Sequence, residues 1–166
     1  MSSDTAIRTD VVIVGAGPCG LFQVFELGLL GISCHVVDSL PAPGGQCTEL
    51  YPDKPIYDIP ALPVCGAQEL IDRLLQQIKP FNAPFHLGQE VTELQRREDG
   101  RFHLRTALGT TFDAGAVVIA AGVGSFQPRR LGVPDSERFE GLQIHYRIRN
   151  VREFYGQSLV IFGGGD

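Results

Sequence analysis

Residues 10–20 of the chain read DVVIVGAGPCG: an apolar run, VVIV at 11–14, gives way at Gly15 to a turn with glycines at 15, 17 and 20. A continuous apolar run bounded by glycine is the pattern of a strand covered on both faces of a parallel sheet. On its C-terminal side, residues 17–30 carry Leu21, Val24, Phe25, Leu27 and Leu29 at mixed three- and four-residue spacings. Gly31 closes the segment as a C-cap, so a helix is predicted there. Residues 33–38, SCHVVD, are a second β-rich run ending in an acid. Strand, glycine turn, helix and strand make a β-α-β unit of about 30 residues.

Gly15-Ala16-Gly17-Pro18-Cys19-Gly20 fits G-x-G-x-x-G, and its context gives the pattern weight. A strand precedes it, a helix follows, and Asp38 stands 18 residues after Gly20, close to the ~20 expected of a ribose-binding acid. Gly15 permits the tight turn, Gly17 lets backbone approach a pyrophosphate, and Gly20 lets helix and strand pack closely. The helix N-terminus, with Cys19 in its first turn, offers unpaired N–H groups to phosphate. An acid at 38 disfavours a 2′-phosphate, so the ligand is FAD or NAD rather than NADP. Both place an ADP half in the same crevice, and the fingerprint does not choose between them.

The composition narrows the partners. The chain has 166 residues, 43% hydrophobic and 20% charged, as expected of one folded globular domain. Its net charge of −5 offers no general attraction for nucleic acid or anionic lipid. Glycine accounts for 20 of 166 residues, about 12% against an ordinary ~7%, as loops that wrap phosphates require. The first ten residues are polar, and the longest apolar stretch, 21–32, is broken by Gln23, Glu26 and two glycines. Neither a signal peptide nor a membrane span is expected, and the expected location is cytoplasmic. Cys19, Cys34, Cys47 and Cys65 form no CxxC, and His35, His86, His103 and His145 form no triad or ligand pair by spacing. No catalytic side chain and no metal site is assigned.

Residues 40–63, with prolines at 41, 43, 52, 55, 60 and 63 and the pair Gly44-Gly45, are expected to be a long shaped loop without helix. A helix is predicted over 66–79, where Leu70, Ile71, Leu74, Leu75 and Ile78 recur at helical spacing before Pro80. Short runs at 84–87, 91–97, 101–107 and 110–113, with turns at Asp99-Gly100 and Leu108-Gly109, predict a small antiparallel meander. AVVIAA at 116–121 has parallel-strand character and is expected to rejoin the main sheet. Residues 141–157 read as a connection. LVIFGGG at the end repeats the VVIVGAG pattern about 150 residues on, as the start of a second dinucleotide-binding unit would. The expected division is thus 1–140, 141–157 and 158–166. The fold class is α/β, a Rossmann-like domain with a parallel sheet and a small antiparallel meander, truncated at the start of a second such domain.

The strings GAGPCGLF, SLPAPGGQCTELYPDKPIYDIP, AQELIDRLL, AAGVGSFQPRRLGVP and FGGGD closely resemble ferredoxin–NADP reductases of the thioredoxin-reductase-like type. Within them Ala120-Ala121-Gly122 is similar to the second glycine motif of flavoproteins with two dinucleotide-binding domains, an alanine replacing the usual threonine. The resemblance implies that FAD is the cofactor of residues 1–140. Asp38, Gln46, Tyr51, Val91 and Phe126 would contact it along with the glycine turn and Gly122, Val91 touching the adenine end through its backbone. It also implies NADPH as substrate of the whole protein, ferredoxin or flavodoxin as electron partner, and a homodimer. A fragment of a thioredoxin reductase and a non-catalytic dinucleotide-binding module are the alternative readings.

Overall fold

The computed structural model describes residues 6–52, 54–125, 130–146, 148 and 151–163. The chain forms two compact units, Met1–Gln127 and Pro128–Asp166.

The first unit is built on strand β1 (Ile7–Val14), which is flanked on both sides. On one side it pairs in parallel with β2 (Cys34–Val37), Val11 opposite Cys34 and Val14 opposite Val37. On the other it pairs in parallel with β8 (Thr111–Ile119), Ile7 opposite Phe112 and Val14 opposite Ile119. The remaining strands are β3 (Pro55–Ile56), β4 (Cys65–Gly66), β5 (Phe85–His86), β6 (Val91–Arg96) and β7 (Phe102–Thr106). Six strands form one sheet in the order β5-β2-β1-β8-β7-β6, while β3 and β4 pair with each other.

Helix α1 (Pro18–Leu29) begins with a proline at its first position, where a missing N–H costs nothing, and buries Leu21, Val24 and Leu27. Helix α3 (Ala67–Ile78) buries Leu70, Ile71 and Ile78. Both pack on one face of the sheet, against Val11, Ile13 and Val36. On the other face Val12, Val37, Leu104, Phe112 and Ala114 form a second core. Full coverage of β1 explains its continuous apolar run.

In this unit the placement of two apolar runs and the course of the proline-rich loop differ from the sequence expectation. The run at 84–87 is not part of the meander: Phe85 and His86 pair in parallel with Val36 and Val37, as β5. Runs 110–113 and 116–121 are one strand, since β8 is antiparallel to β7 over Thr111–Ala114 and parallel to β1 over Phe112–Ile119. Apolar pattern reports burial, not the identity or direction of a neighbour, and both differences follow from that. The proline-rich loop also contains one helical turn, α2 (Gln46–Glu49), in the gap between Pro43 and Pro52 where no ring blocks it. The loop is tied down at its far end, where the amides of Ala67 and Gln68 in the first turn of α3 donate to the carbonyls of Lys54 and Pro52.

In the second unit the chain folds into 3₁₀ turns at Ser136–Phe139 and Val151–Phe154. The Tyr146 hydroxyl accepts from the Leu131 amide and donates to Glu140, both at 3.1 Å. Residues 158–162, expected as a strand, are exposed and have no strand partner among the described residues. A parallel strand exists only through its neighbours, and the described residues provide none. Gly164, Gly165 and Asp166 of the second glycine turn lie outside the described residues.

Candidate nucleotide site

The chain turns toward β2 on one side of β1 and is joined to β8 on the other, so a crevice opens beyond the carboxyl ends of these three strands. A cleft of about 370 Å³ lies there, with the glycine turn as its floor. Gly15 takes φ +112°, and a Cβ on it would overlap the carbonyl oxygen of Ala120 at the end of β8. A Cβ on Gly20 would overlap the carbonyl oxygen of Gly15, so the helix starts with no space between itself and the strand it leaves. Gly17 differs from both. Its φ of −74° suits any residue, and a Cβ there would meet only the Cα of Gly45, at 3.9 Å. It borders the cleft as the N-cap of α1 with no side chain to serve as cap, and the first turn of that helix carries no acid.

Asp38 holds the walls together. Its carboxylate is buried and accepts the Ala16 amide at 2.6 Å and the Leu40 amide at 2.8 Å, one on each oxygen. The acid expected to meet a ribose therefore also pins the glycine turn to the start of the proline-rich loop. Each oxygen keeps a second lone pair for a further donor. From the same residue, the Asp38 amide donates to the His86 carbonyl at 3.0 Å, and its carbonyl accepts from Gln89 at 2.9 Å. Gly44 donates to the Ala16 carbonyl at 2.9 Å, which lays the second glycine pair against the first turn.

Gly15, Gly17, Cys19, Asp38, Gln46, Val91 and Gly122 all border this cleft. The Gln46 amide nitrogen lies 3.4 Å from the point where a Gly122 side chain would begin, so the two are brought together. Gly20 is buried beneath the turn instead of lining the cleft. Tyr51 is half exposed beside the cleft, its ring 5.1 Å from the Lys54 ammonium, and does not border it. Phe126 lies outside the described residues. The thiol of Cys47 is pushed up by burial first and then by the neighbouring Cys19 and Cys65, so it is held in its unreactive protonated form.

The cleft also contains polar residues that sequence reasoning missed. Gln89 and Glu90 precede Val91 on the far wall, and Ser125 donates to Glu90 at 3.2 Å across the mouth. Gln89 in turn accepts from the Thr106 hydroxyl at 3.0 Å. Their only sequence signal was adjacency to Val91 and Phe126.

A glycine turn between a parallel strand and a helix, an acid at the end of the next strand and a crevice at the strand-order reversal define a Rossmann-like nucleotide-binding fold. Residues 9–166 match the family described as pyridine nucleotide-disulphide oxidoreductase, and the chain belongs to that family. It is 64% identical over 165 residues to the ferredoxin–NADP reductase of Methylibium petroleiphilum, covering 99% of this chain and 45% of that protein. To the ferredoxin–NADP reductase 2 of Cupriavidus metallidurans it is 61% identical, over 96% of this chain and 44% of that protein. The chain thus spans less than half the length of the curated relatives it matches. Among solved structures, thioredoxin reductase from Streptococcus pyogenes superposes with a TM-score of 0.62 at 23% identity, over 81% of this chain and 41% of that one. Cyclohexanone monooxygenase from Rhodococcus sp. Phi1 gives 0.68 at 24% identity, over 86% and 31%. These two likenesses concern the fold.

Proposed function

We propose that this chain supplies the FAD-binding part of a flavoprotein oxidoreductase that moves electrons between NADPH and ferredoxin or flavodoxin. The observation that carries this reading is Gly17, a glycine that the protein's own packing does not require, at the uncapped start of α1 on the cleft floor. A bound pyrophosphate supplies the missing requirement, since it needs bare backbone N–H groups and no side chain in the way. FAD would lie with its phosphates on Gly15, Gly17 and Cys19, with Gly20 packed beneath them, its ribose at Asp38 and its adenine end at Val91. Gln46 and Gly122 would flank the flavin half, with Tyr51 and Phe126 beside it. The flavin, when bound, accepts a hydride and releases single electrons. The chain's residues bind and orient it, and none is assigned a proton to move.

Ferredoxin as partner is supported by the names of relatives at 61–64% identity. Flavodoxin and a homodimer are proposed from the family resemblance of the sequence, and the cytoplasmic location from its polar start and interrupted apolar stretch. Residues 1–140 are proposed as the flavin part and 158–166 as the opening of an NADPH-binding domain. The exposure of Leu159, Val160, Ile161 and Phe162 supports the second assignment, since an apolar run of this kind belongs under neighbouring strands. The thioredoxin reductase reading has only the fold in its favour. The test is to purify the protein, extract and quantify its flavin, then follow NADPH-dependent reduction of ferredoxin. Equimolar FAD is expected in the chain, with NADPH-dependent ferredoxin reduction in the whole protein and none in residues 1–166 alone; a colourless protein that takes up no FAD on reconstitution would overturn the proposal.

A further inference from the structure

On the sheet face that holds Val12, Val37 and Phe112, His35 of β2 and His86 of β5 meet. Nδ1 of His35 lies 2.9 Å from Nε2 of His86, with ring centroids 5.2 Å apart and planes 21° from parallel. A short N···N distance with centroids that far apart places the rings end to end, so the two nitrogens share one proton in an N–H···N bond. A chelated metal would need both lone pairs aimed at a common point, which this arrangement does not give. The Phe112 ring stands edge-on to both imidazoles, at 5.9 and 5.0 Å. An aliphatic residue would continue this apolar face, so two imidazoles here call for an explanation.

Their position provides one. β5 is an edge strand of two residues, the shortest of the six in the sheet. Just beyond the pair, the Asp38 amide bonds the His86 carbonyl, Gly88 bonds the Leu40 carbonyl and Gln89 bonds the Asp38 carbonyl, and Gln89, Glu90 and Val91 then form a wall of the cleft. We propose that His35 and His86 are positioning residues for the nucleotide cleft: their shared proton holds β5 in register on β2, and a proton on each ring in acid releases the wall that β5 carries. The proposal rests on reading the cleft as a flavin nucleotide site.

One added proton is compatible with the pair, because N–H⁺···N is a charge-assisted bond, whereas two charges end to end repel. Burial holds both imidazoles below the ordinary histidine range, and His86 lowers His35 further. Among the charged groups on the strands packed nearby, Asp10 is bonded to Ser33, Asp113 is bonded to Arg101, and neither these nor Arg8 shifts either histidine. With both folded values depressed, the contribution of the pair is complete above the ordinary histidine value of about 6.5 and is lost as pH falls through the lower folded values.

The experiment is a fluorescence titration of the whole apoprotein with FAD from pH 7.5 to 5.0, for wild type, His35→Gln and His86→Gln. Glutamine can accept or donate the bridging hydrogen bond and does not titrate. At pH 7.5 both variants are expected to bind FAD within about threefold of wild type. Wild type should then weaken on acidification by about tenfold for each pH unit that binding displaces the titration of the pair, and the variants by less than about twofold. Wild-type affinity that is flat across the range, or variants that follow the wild-type profile, would overturn the proposal while leaving the flavin reading intact. Absence of FAD binding at pH 7.5 would overturn both. If a variant does not fold, the hydrogen-exchange protection of the Asp38 and Gln89 amides in wild type decides: loss in acid supports the proposal and constancy refutes it.

Discussion

Replacing Gly17 by serine separates what the fold needs from what the ligand needs. The backbone at this position, φ −74° and ψ −177°, is ordinary extended geometry, and a new Cβ would touch only the Cα of Gly45 at 3.9 Å. Serine is also a slightly better N-cap than glycine, by a few tenths of a kcal/mol, so the apoprotein should unfold within about 0.5 kcal/mol of wild type. The same side chain stands on the cleft floor, where the pyrophosphate is proposed to approach the backbone. Losing one charge-assisted hydrogen bond there costs about 1.5–3 kcal/mol, a roughly tenfold to hundredfold weaker FAD affinity. Urea unfolding of the apoprotein and a flavin fluorescence titration give the two numbers. Unchanged FAD affinity would refute the claim that this surface meets phosphate. A large loss of apoprotein stability would show that the protein's own packing requires the glycine.

Gly20→Ala should behave in the opposite way, since its Cβ meets the Gly15 carbonyl and neither backbone can yield: about 1–3 kcal/mol of destabilisation, read as a fall of about 2–10 °C in the melting temperature of the apoprotein. Asp38→Asn turns an accepting oxygen into a donor facing a backbone N–H, at Ala16 or Leu40, and should cost about 2–3 kcal/mol in urea unfolding even without ligand; an unchanged midpoint would mean that Asp38 serves the ligand alone. The hydrogen bond from Arg101 holds the Asp113 carboxyl below the usual range, so its contribution is complete above the ordinary value of about 3.9 and disappears as pH falls through the lower folded value. Acid unfolding between pH 5 and 2 should accordingly be steeper in wild type than in Asp113→Asn.

Much of the site was legible because its requirements are local. Gly20 is demanded by a contact within one turn of chain, Gly15 by its own positive φ, and Asp38 by its place at the end of the next strand, so spacing alone found them. The apolar run at 11–14 announced a strand covered on both faces, and both cores are there. What spacing could not show was pairing between distant segments. Residues 85–86 belong to β2 and not to the meander, and nothing in FHL says which neighbour it will choose. The same limit hid the contact between His35 and His86, 51 residues apart, and the bond from Ser125 to Glu90, 35 apart. The single turn of α2 was missed for another reason: proline forbids helix where it stands and just before it, and the four residues from Gln46 to Glu49 are clear of both limits.

The hydrogen bonds around Asp38 explain why the cleft can exist before a ligand fills it. The Gly15 amide bonds the Val37 carbonyl, Ala16 bonds the Asp38 carboxylate, Gly44 bonds the Ala16 carbonyl, and Gln89 bonds the Asp38 carbonyl. Glycine turn, proline-rich loop and far wall are therefore tied to one another through the end of β2, not merely placed side by side. A site held by its own backbone has little ordering entropy left to lose on binding, so more of the contact energy appears as affinity. The same wiring makes the cleft sensitive to anything that moves β2 against its neighbours. Substitutions at Asp38 should for this reason weaken the fold and the ligand together, whereas those at Gly17 weaken the ligand alone, and comparing the two separates the scaffold from the contact surface.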